Sequence, residues 1–419
     1  MARSGGFSSR SWSVAGKAVS LIHHSLGHIA PNSKVSLTRQ RRHQHRPIGT
    51  LWCVSTGGAK RANLKREPLV ALPRHAAELG GLDLFARLDE SSTGALGDEA
   101  RLDAVIARFR EGVRTSLQNP ARVYGWHTQV MFGQVVRALS AVVLLTEEDQ
   151  GTTWARASDQ ITPSDYRAVL ADGRNLSIEV KNHPVRGVDR PFTMPKANLA
   201  GLVRYAALTG STPRVAIYWS GPGLWFLVDP RHFTIRGSKA TLDMRVAMAE
   251  SEMADLGDMM IGTVPPLEFD LEVHEVGDRR PTGENTAEVT IQIDGTTIRA
   301  GGRELKGAAE RRLAFYLMWN GRWPETEHDD SEDGRLTHRR FRYEPEEWPH
   351  KQGFAIVGFY SELLARSFWL RTSDEGVVTK LTADLDPRRQ GFVIPDDYHS
   401  DELPLWRMRL QPRSQSGDA

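Results

Sequence analysis

The chain has one cysteine, Cys53, in 419 residues. That excludes an intrachain disulfide framework and any zinc site built from several cysteines. No apolar run is long enough to span a bilayer. With 40% hydrophobic and 25% charged residues, the composition is that of a soluble globular protein, and a cytoplasmic location is expected. There is no Gly-Lys-Ser/Thr phosphate loop, no His-Glu-x-x-His motif and no internal repeat.

Acid is what the first seventy residues lack. They hold twelve Lys and Arg against one acid, Glu67. From whole-chain totals of 54 and 52, this leaves 42 basic and 51 acidic residues, a net of −9, for residues 71–419. The near-neutral total therefore hides a basic arm on an acidic body. The arm centres on Arg39-Gln40-Arg41-Arg42-His43-Gln44-His45-Arg46 and could hold phosphate backbones. Its Ser-, Arg- and His-rich composition is also that of a disordered tail, the preferred expectation for residues 1–70. The first thirty residues share the composition of a mitochondrial transit peptide, with nothing else to support that reading.

From Asp98 the pattern turns helical, with Leu102, Val105, Ile106, Phe109, Val113 and Leu117 at three- and four-residue steps. Asn119-Pro120 should stop this helix. A second helix is expected from about His127 to Leu139, and the apolar run Ala141 to Thr146 reads as a buried strand.

The stretch that bears chemistry is Pro163 to His183. Tyr166 to Leu170 alternates as a strand, and Ala171-Asp172-Gly173-Arg174-Asn175 is turn chemistry. Leu176 to Val180 resumes the alternation. A side-chain period of two puts Glu179 and Lys181 on one face, and pairing across the turn can bring Asp165 near Glu179. Two carboxylates and an ammonium in a small volume suit metal-dependent phosphodiester hydrolysis. Mg²⁺ or Mn²⁺ takes one or two carboxylates plus waters and phosphate oxygens. Asp165 and Glu179 can supply the carboxylates, and the Val180 carbonyl is a candidate third ligand. Lys181 can orient the attacking water or stabilise charge on the phosphate. An isolated Glu-x-Lys is more often a solvated strand face, so the surroundings decide.

Pro163-Ser164-Asp165 followed by Glu179-Val180-Lys181 on a hairpin resembles the PD-(D/E)XK nuclease superfamily, which includes restriction endonucleases and archaeal Holliday-junction resolvases. The resemblance covers roughly residues 122–233, about a quarter of the chain, and Ser164 loosens the Pro-Asp by one residue. It implies an α/β fold for residues 71–235: a restriction-endonuclease-like αβββαβ core, its mixed sheet flanked by helices. It also implies a Mg²⁺-dependent DNA endonuclease. The superfamily often places a Glu on the first helix, and here that helix offers only Gln129 and Gln134. Gln129 is the better candidate, since it lies one turn into the helix; its neutral amide is a weaker metal ligand and can hold a metal-bound water. Glu148 and Asp149 could supply the missing acid from the strand end. His183 could contact phosphate, and Arg186, Arg190 and Lys196 could meet DNA backbone. Exonuclease branches carry Gln-x-x-x-Tyr on the next helix, and Gly201 precedes Tyr205 here, so that motif is absent.

A hairpin of Arg214 to Trp219 and Leu224 to Val228 should close the sheet, with Trp219 and Trp225 as packing. Residues 236–412 are expected to form an α+β accessory domain, with 413–419 as a tail. A helix is expected within Ala240 to Met259, a hairpin turning at Asp294-Gly295, and a helix ending at Asn320-Gly321. Glu325 to Arg340 reads as a charged loop, Phe354 to Phe368 as a helix, and Val377 to Leu381 and Phe392 to Ile394 as strands. Arg311, Arg312, Arg339, Arg340 and Arg342 are better read as a solvated face beside acids than as a nucleic-acid surface. By elimination this half serves target recognition or dimerisation, and a homodimer is compatible with the sequence. The rival to a nuclease is an inactive nuclease fold that binds nucleic acid or acts as a scaffold. RNA in place of DNA is also open.

Overall fold

The structure is a computed structural model. It describes residues 69, 77–91, 95–139, 141–148, 153–156, 159–185, 187, 189–283, 286–383 and 393–412, all within one compact unit, Arg61–Ala419. The expectation for the basic arm, and those for Asp149 and Arg186, lie outside these residues. The fold is mixed α/β, with seven α-helices and several sheets among the described residues. None of these helices is long and apolar enough to cross a membrane.

Helix α1 is Ala77–Leu88 and α2 is Glu99–Leu117. Asp98 caps α2, its side chain accepting from the Ala100 N–H. Helix α3 spans Pro120–Leu139, starting seven residues before the expected His127. Asn119 is the reason. Its side-chain oxygen accepts from the N–H groups of Ala121 and Arg122 at 3.1 and 3.4 Å, and Pro120 suits a first helical position. The dipeptide that stops one helix therefore starts the next.

The central sheet contains β1 (Val142–Glu147), β2 (Tyr166–Leu170), β3 (Asn175–His183), β5 (Thr212–Trp219) and β6 (Leu224–Val228), in that spatial order. Only β3 and β5 are parallel. Between them come β4 (Phe192–Pro195) and α4 (Lys196–Leu208), the crossover that a parallel pair requires. Strand β1 corrects an expectation. It is an edge strand, and Val143 and Leu144 are exposed rather than buried. Within the strand only Val142 is buried.

The two sheet faces are covered by different helices. The Tyr166 ring points at α3, so close to Gly133 that a Cβ there would stand 2.6 Å from the hydroxyl. The Ser177 hydroxyl instead meets Ser211, just past the end of α4, at 2.6 Å. Strand β4 pairs with β8 (Lys239–Leu242), which pairs with β7 (Thr234–Arg236). Phe192, Leu202, Trp219, Phe226, Phe233 and Leu242 share the core beneath. Each such side chain contributes about 1.5–3 kcal/mol by leaving water. Trp219 belongs to this interior and Trp225 packs against Phe132 of α3 on the other face, both buried as expected.

The long helix expected within residues 240–259 shrinks to α5, Met244–Ala249. Strand β8 precedes it and β9 (Met260–Thr263) follows a short 3₁₀ turn. A second five-stranded sheet has the order β12-β11-β10-β14-β13. Its strands are β10 (Leu267–Gly283), β11 (Thr286–Ala300), β12 (Arg303–Glu304), β13 (Glu325–Glu332) and β14 (Arg335–Tyr343). Asp294-Gly295 is not a turn. Glu272 faces Gly295 and Val273 faces Ile293, so Asp294 is the extra residue of a bulge within β11. The expected loop at 325–340 is instead the β13–β14 hairpin, turning at Asp333 and Gly334 with φ of +50° and +73°. Arg339, Arg340 and Arg342 pair with Asp329, Asp270 and Glu268 on neighbouring strands.

Helix α6, Ala308–Asn320, ends at Asn320-Gly321 as expected. Strand β15 (Ala355–Phe359) occupies the start of the next expected helix, and α7 is Tyr360–Thr372. Asp258, fully interior, takes the Ser361 N–H and hydroxyl at 2.8 and 2.6 Å and so caps α7 from another segment. The pair β16 (Ser373–Asp374) and β17 (Val377–Val378) is shorter than expected. Val393 and Ile394 form no strand, and Phe392 lies outside the described residues. Strand β18 (Trp406–Met408) joins β9 and β15. Helix α7 packs on α3. The His127 ring lies 4.9 Å from Phe368, and its Nε2 is 2.7 Å from the Thr372 hydroxyl.

Candidate active site on the β2–β3 hairpin

The hairpin closes through Gly173, whose φ of +88° favours glycine, and through Asp172, which accepts the Arg174 N–H at 3.0 Å. Pairing runs from Val169 opposite Asn175 to Tyr166 opposite Ile178. There the ladder stops and a side chain takes over. The Val180 N–H donates to Asp165 Oδ2 at 2.6 Å. The Asp165 carboxylate is thereby docked at the peptide between Glu179 and Lys181.

On β3 the Lys181 ammonium donates to Glu179 Oε1 and, at 3.2 Å, to the Val180 carbonyl. Glu179 is buried and Lys181 partly exposed. Glu179 Oε2 is buried with no hydrogen-bond partner. The structure thus brings Asp165, Glu179, Val180 and Lys181 together. Strand alternation sends the Glu179 and Lys181 side chains to the α4 side. Gln129 stands on α3, over the other face, where its main-chain carbonyl accepts the Tyr166 hydroxyl at 3.0 Å.

Glu148 is near but engaged. Its carboxylate takes the Ser164 hydroxyl at 3.1 Å and the Tyr205 hydroxyl at 2.7 Å, and it lies 2.7 Å from Arg167 Nε. Burial, with Glu148 beside it, raises the Tyr205 phenol above its ordinary pKa. His183 packs edge-on against Trp219 and holds the following loop through the Arg190 carbonyl at 3.0 Å. It is a strand-end packing residue. Arg190 and Lys196 are exposed.

Sequence reasoning missed how α4 holds the 159–165 segment that delivers Asp165. Arg204 donates to the carbonyls of Asp159 and Gln160 at 2.9 and 2.5 Å. A Cβ on Gly201 would stand 2.3 Å from Thr162 Oγ1 and 3.0 Å from its main-chain nitrogen. Glycine therefore allows the helix and the 159–165 segment to touch. The available signal was a glycine inside an otherwise good helix.

Among the described residues, no three His, Cys, Asp or Glu side chains are grouped to hold a metal. Two carboxylates and a carbonyl, one carboxylate oxygen being orphaned, nevertheless fit a hard cation that keeps several waters. Fold and site together describe a mixed α/β protein whose central sheet carries an Asp, Glu and Lys cluster. No protein-family model matches the chain, and no curated protein does. Among solved structures, a Holliday junction resolvase from Archaeoglobus fulgidus is similar in part. It is 17% identical with a TM-score of 0.25, over 31% of this chain and 98% of that one.

Proposed function

We propose that the protein is a metal-dependent nuclease that hydrolyses phosphodiester bonds in DNA. Asp165 and Glu179 hold Mg²⁺ or Mn²⁺, with the Val180 carbonyl as a main-chain ligand. The observation that carries the reading is Glu179 Oε2, buried and unpartnered beside a lysine and one peptide from a second carboxylate. Leaving such an oxygen unsatisfied costs on the order of 1–3 kcal/mol, more when charged, and a cation would offset that cost. With β4 set aside, because it pairs with β8 outside the central sheet, the order α3, β1, β2, β3, α4, β5 supports a restriction-endonuclease-like core.

When bound, the cation polarises a phosphoryl oxygen and acidifies a water. The chain's own residues do the rest. The Val180 N–H fixes the Asp165 carboxylate. Glu179 Oε1 holds the Lys181 ammonium in place, where it can donate to a phosphate oxygen as negative charge grows. The water oxygen bonds to phosphorus and releases a proton to solvent, the P–O ester bond breaks, and the departing oxygen takes up a proton from solvent.

A second reading, an inactive nuclease fold that binds nucleic acid or serves as a scaffold, is favoured by the lack, among the described residues, of a third acidic or His side chain grouped with Asp165 and Glu179. One experiment separates them. The full chain is titrated with Mg²⁺ and Mn²⁺ by calorimetry and assayed on linear DNA, branched DNA and RNA. The nuclease reading expects metal binding and DNA cleavage, both lost in Glu179→Gln. No metal binding by the wild type would favour the scaffold, and cleavage of RNA alone would correct the substrate.

A further inference from the structure

Helix α2 carries a stripe that nothing among the described residues covers. Leu102, Ile106, Phe109, Val113 and Leu117 are 41, 45, 47, 40 and 58% exposed. Steps of four, three, four and four place them along one face, over about 22 Å at 1.5 Å per residue. Contiguous apolar surface of this kind marks an interaction site.

The charges beside the stripe identify what covers it. Arg101, Arg108 and Arg114 are each paired within the chain, to Asp89, Glu90 and Glu111. Asp103 and Arg110 are exposed, and neither has a partner among the described residues. In a heptad, Leu102 and Phe109 take d positions, Ile106 and Val113 take a, and Asp103 and Arg110 take e. An antiparallel pair of α2 helices stacks Ile106 on Phe109 and Leu102 on Val113. The same register sets Asp103 of one copy against Arg110 of the other, twice, by symmetry. A parallel in-register pair would instead bring Asp103 toward Asp98 of the other copy, a like-charge contact.

We propose that α2 is the interface of a two-fold homodimer, formed by antiparallel pairing of this helix with its counterpart in a second copy. The inference is independent of the metal site. Sedimentation equilibrium of the full chain tests it. The wild type should be a dimer at micromolar concentration, and Ile106→Glu should be a monomer. Asp103→Arg and Arg110→Asp should each weaken association about tenfold or more, because each creates two like-charge contacts. The double variant Asp103→Arg/Arg110→Asp should recover wild-type affinity to within about threefold. All four charges lie at the surface, so these variants keep the fold. A monomeric wild type at about 100 μM overturns the proposal. So does a dimer indifferent to Ile106→Glu, or a double variant no tighter than the singles.

Discussion

Asp165 and Val180 are joined by a hydrogen bond of 2.6 Å from main chain to carboxylate. The contact makes Asp165 a structural cap on the hairpin as well as a candidate ligand, and the two roles can be separated. Asp165→Asn keeps an oxygen for the Val180 N–H and loses the charge. Cleavage should fall by roughly a hundredfold or more, the scale of losing one group aligned on the developing charge. The melting temperature should change little. Asp165→Ala should lose cleavage equally and cost about 1–3 kcal/mol more in stability, because the N–H is orphaned. Cleavage rates and denaturant midpoints of the two variants check this. Equal stability would mean that the hydrogen bond contributes nothing.

Helix α7 is held at both ends by titratable groups of opposite pH sense. Burial lowers the His127 imidazole to about 4 and raises the Asp258 carboxyl to about 6. Between pH 6.5 and about 4 the unfolded chain protonates His127 and the folded protein does not. His127 therefore makes stability fall as pH falls through that window. Asp258 does the reverse: from about 3.8 to 6 the folded protein holds the extra proton, so its contribution is lost as pH rises. His127→Gln should flatten the acid limb of a stability profile, and Asp258→Asn should steepen it. Urea denaturation from pH 4 to 8 reads both. A His127→Gln profile parallel to wild type would remove the imidazole as the cause.

The hairpin was legible because its signals are local. The alternation, the Asp172-Gly173 turn and the Glu-x-Lys spacing all fall within about twenty residues. What failed needed partners. Two Asp-Gly pairs show it. Asp294-Gly295 reads as a turn and is a bulge, because the register with β10 pairs Glu272 with Gly295 and Val273 with Ile293 and leaves Asp294 over. Asp333-Gly334 is a turn that the sequence hides, because both flanking strands are charged. Their charges answer one another across strands, as Arg339 and Asp329 do, and a linear reading shows only a polar stretch. Strand β1 failed similarly, since apolarity does not reveal which strand is the edge. Within the site, Asp165, Glu179, Val180 and Lys181 are named by local spacing, and Gln129, named beside them, stands over the other sheet face. The hold of α4 on the 159–165 segment was not, since it depends on a helix and a loop some forty residues apart.

That hold gives the last prediction. At Gly201 a methyl group would meet Thr162 Oγ1 at 2.3 Å and the Thr162 main-chain nitrogen at 3.0 Å. Rotating the threonine hydroxyl away relieves the first contact and not the second, so Gly201→Ala must move the segment that carries Asp165. Overpacking of this kind costs about 1–3 kcal/mol. The displacement should also pull the carboxylate off the Val180 N–H, so metal affinity should fall along with stability. Adding Thr162→Ala removes Oγ1 and leaves the Cβ and main-chain nitrogen at 3.0 Å, so it should restore part of the stability and little of the metal binding. Calorimetric titration with Mn²⁺ beside thermal denaturation of the single and double variants measures the two effects separately. Unchanged metal affinity in a destabilised Gly201→Ala protein would show that α4 supports the fold without positioning Asp165.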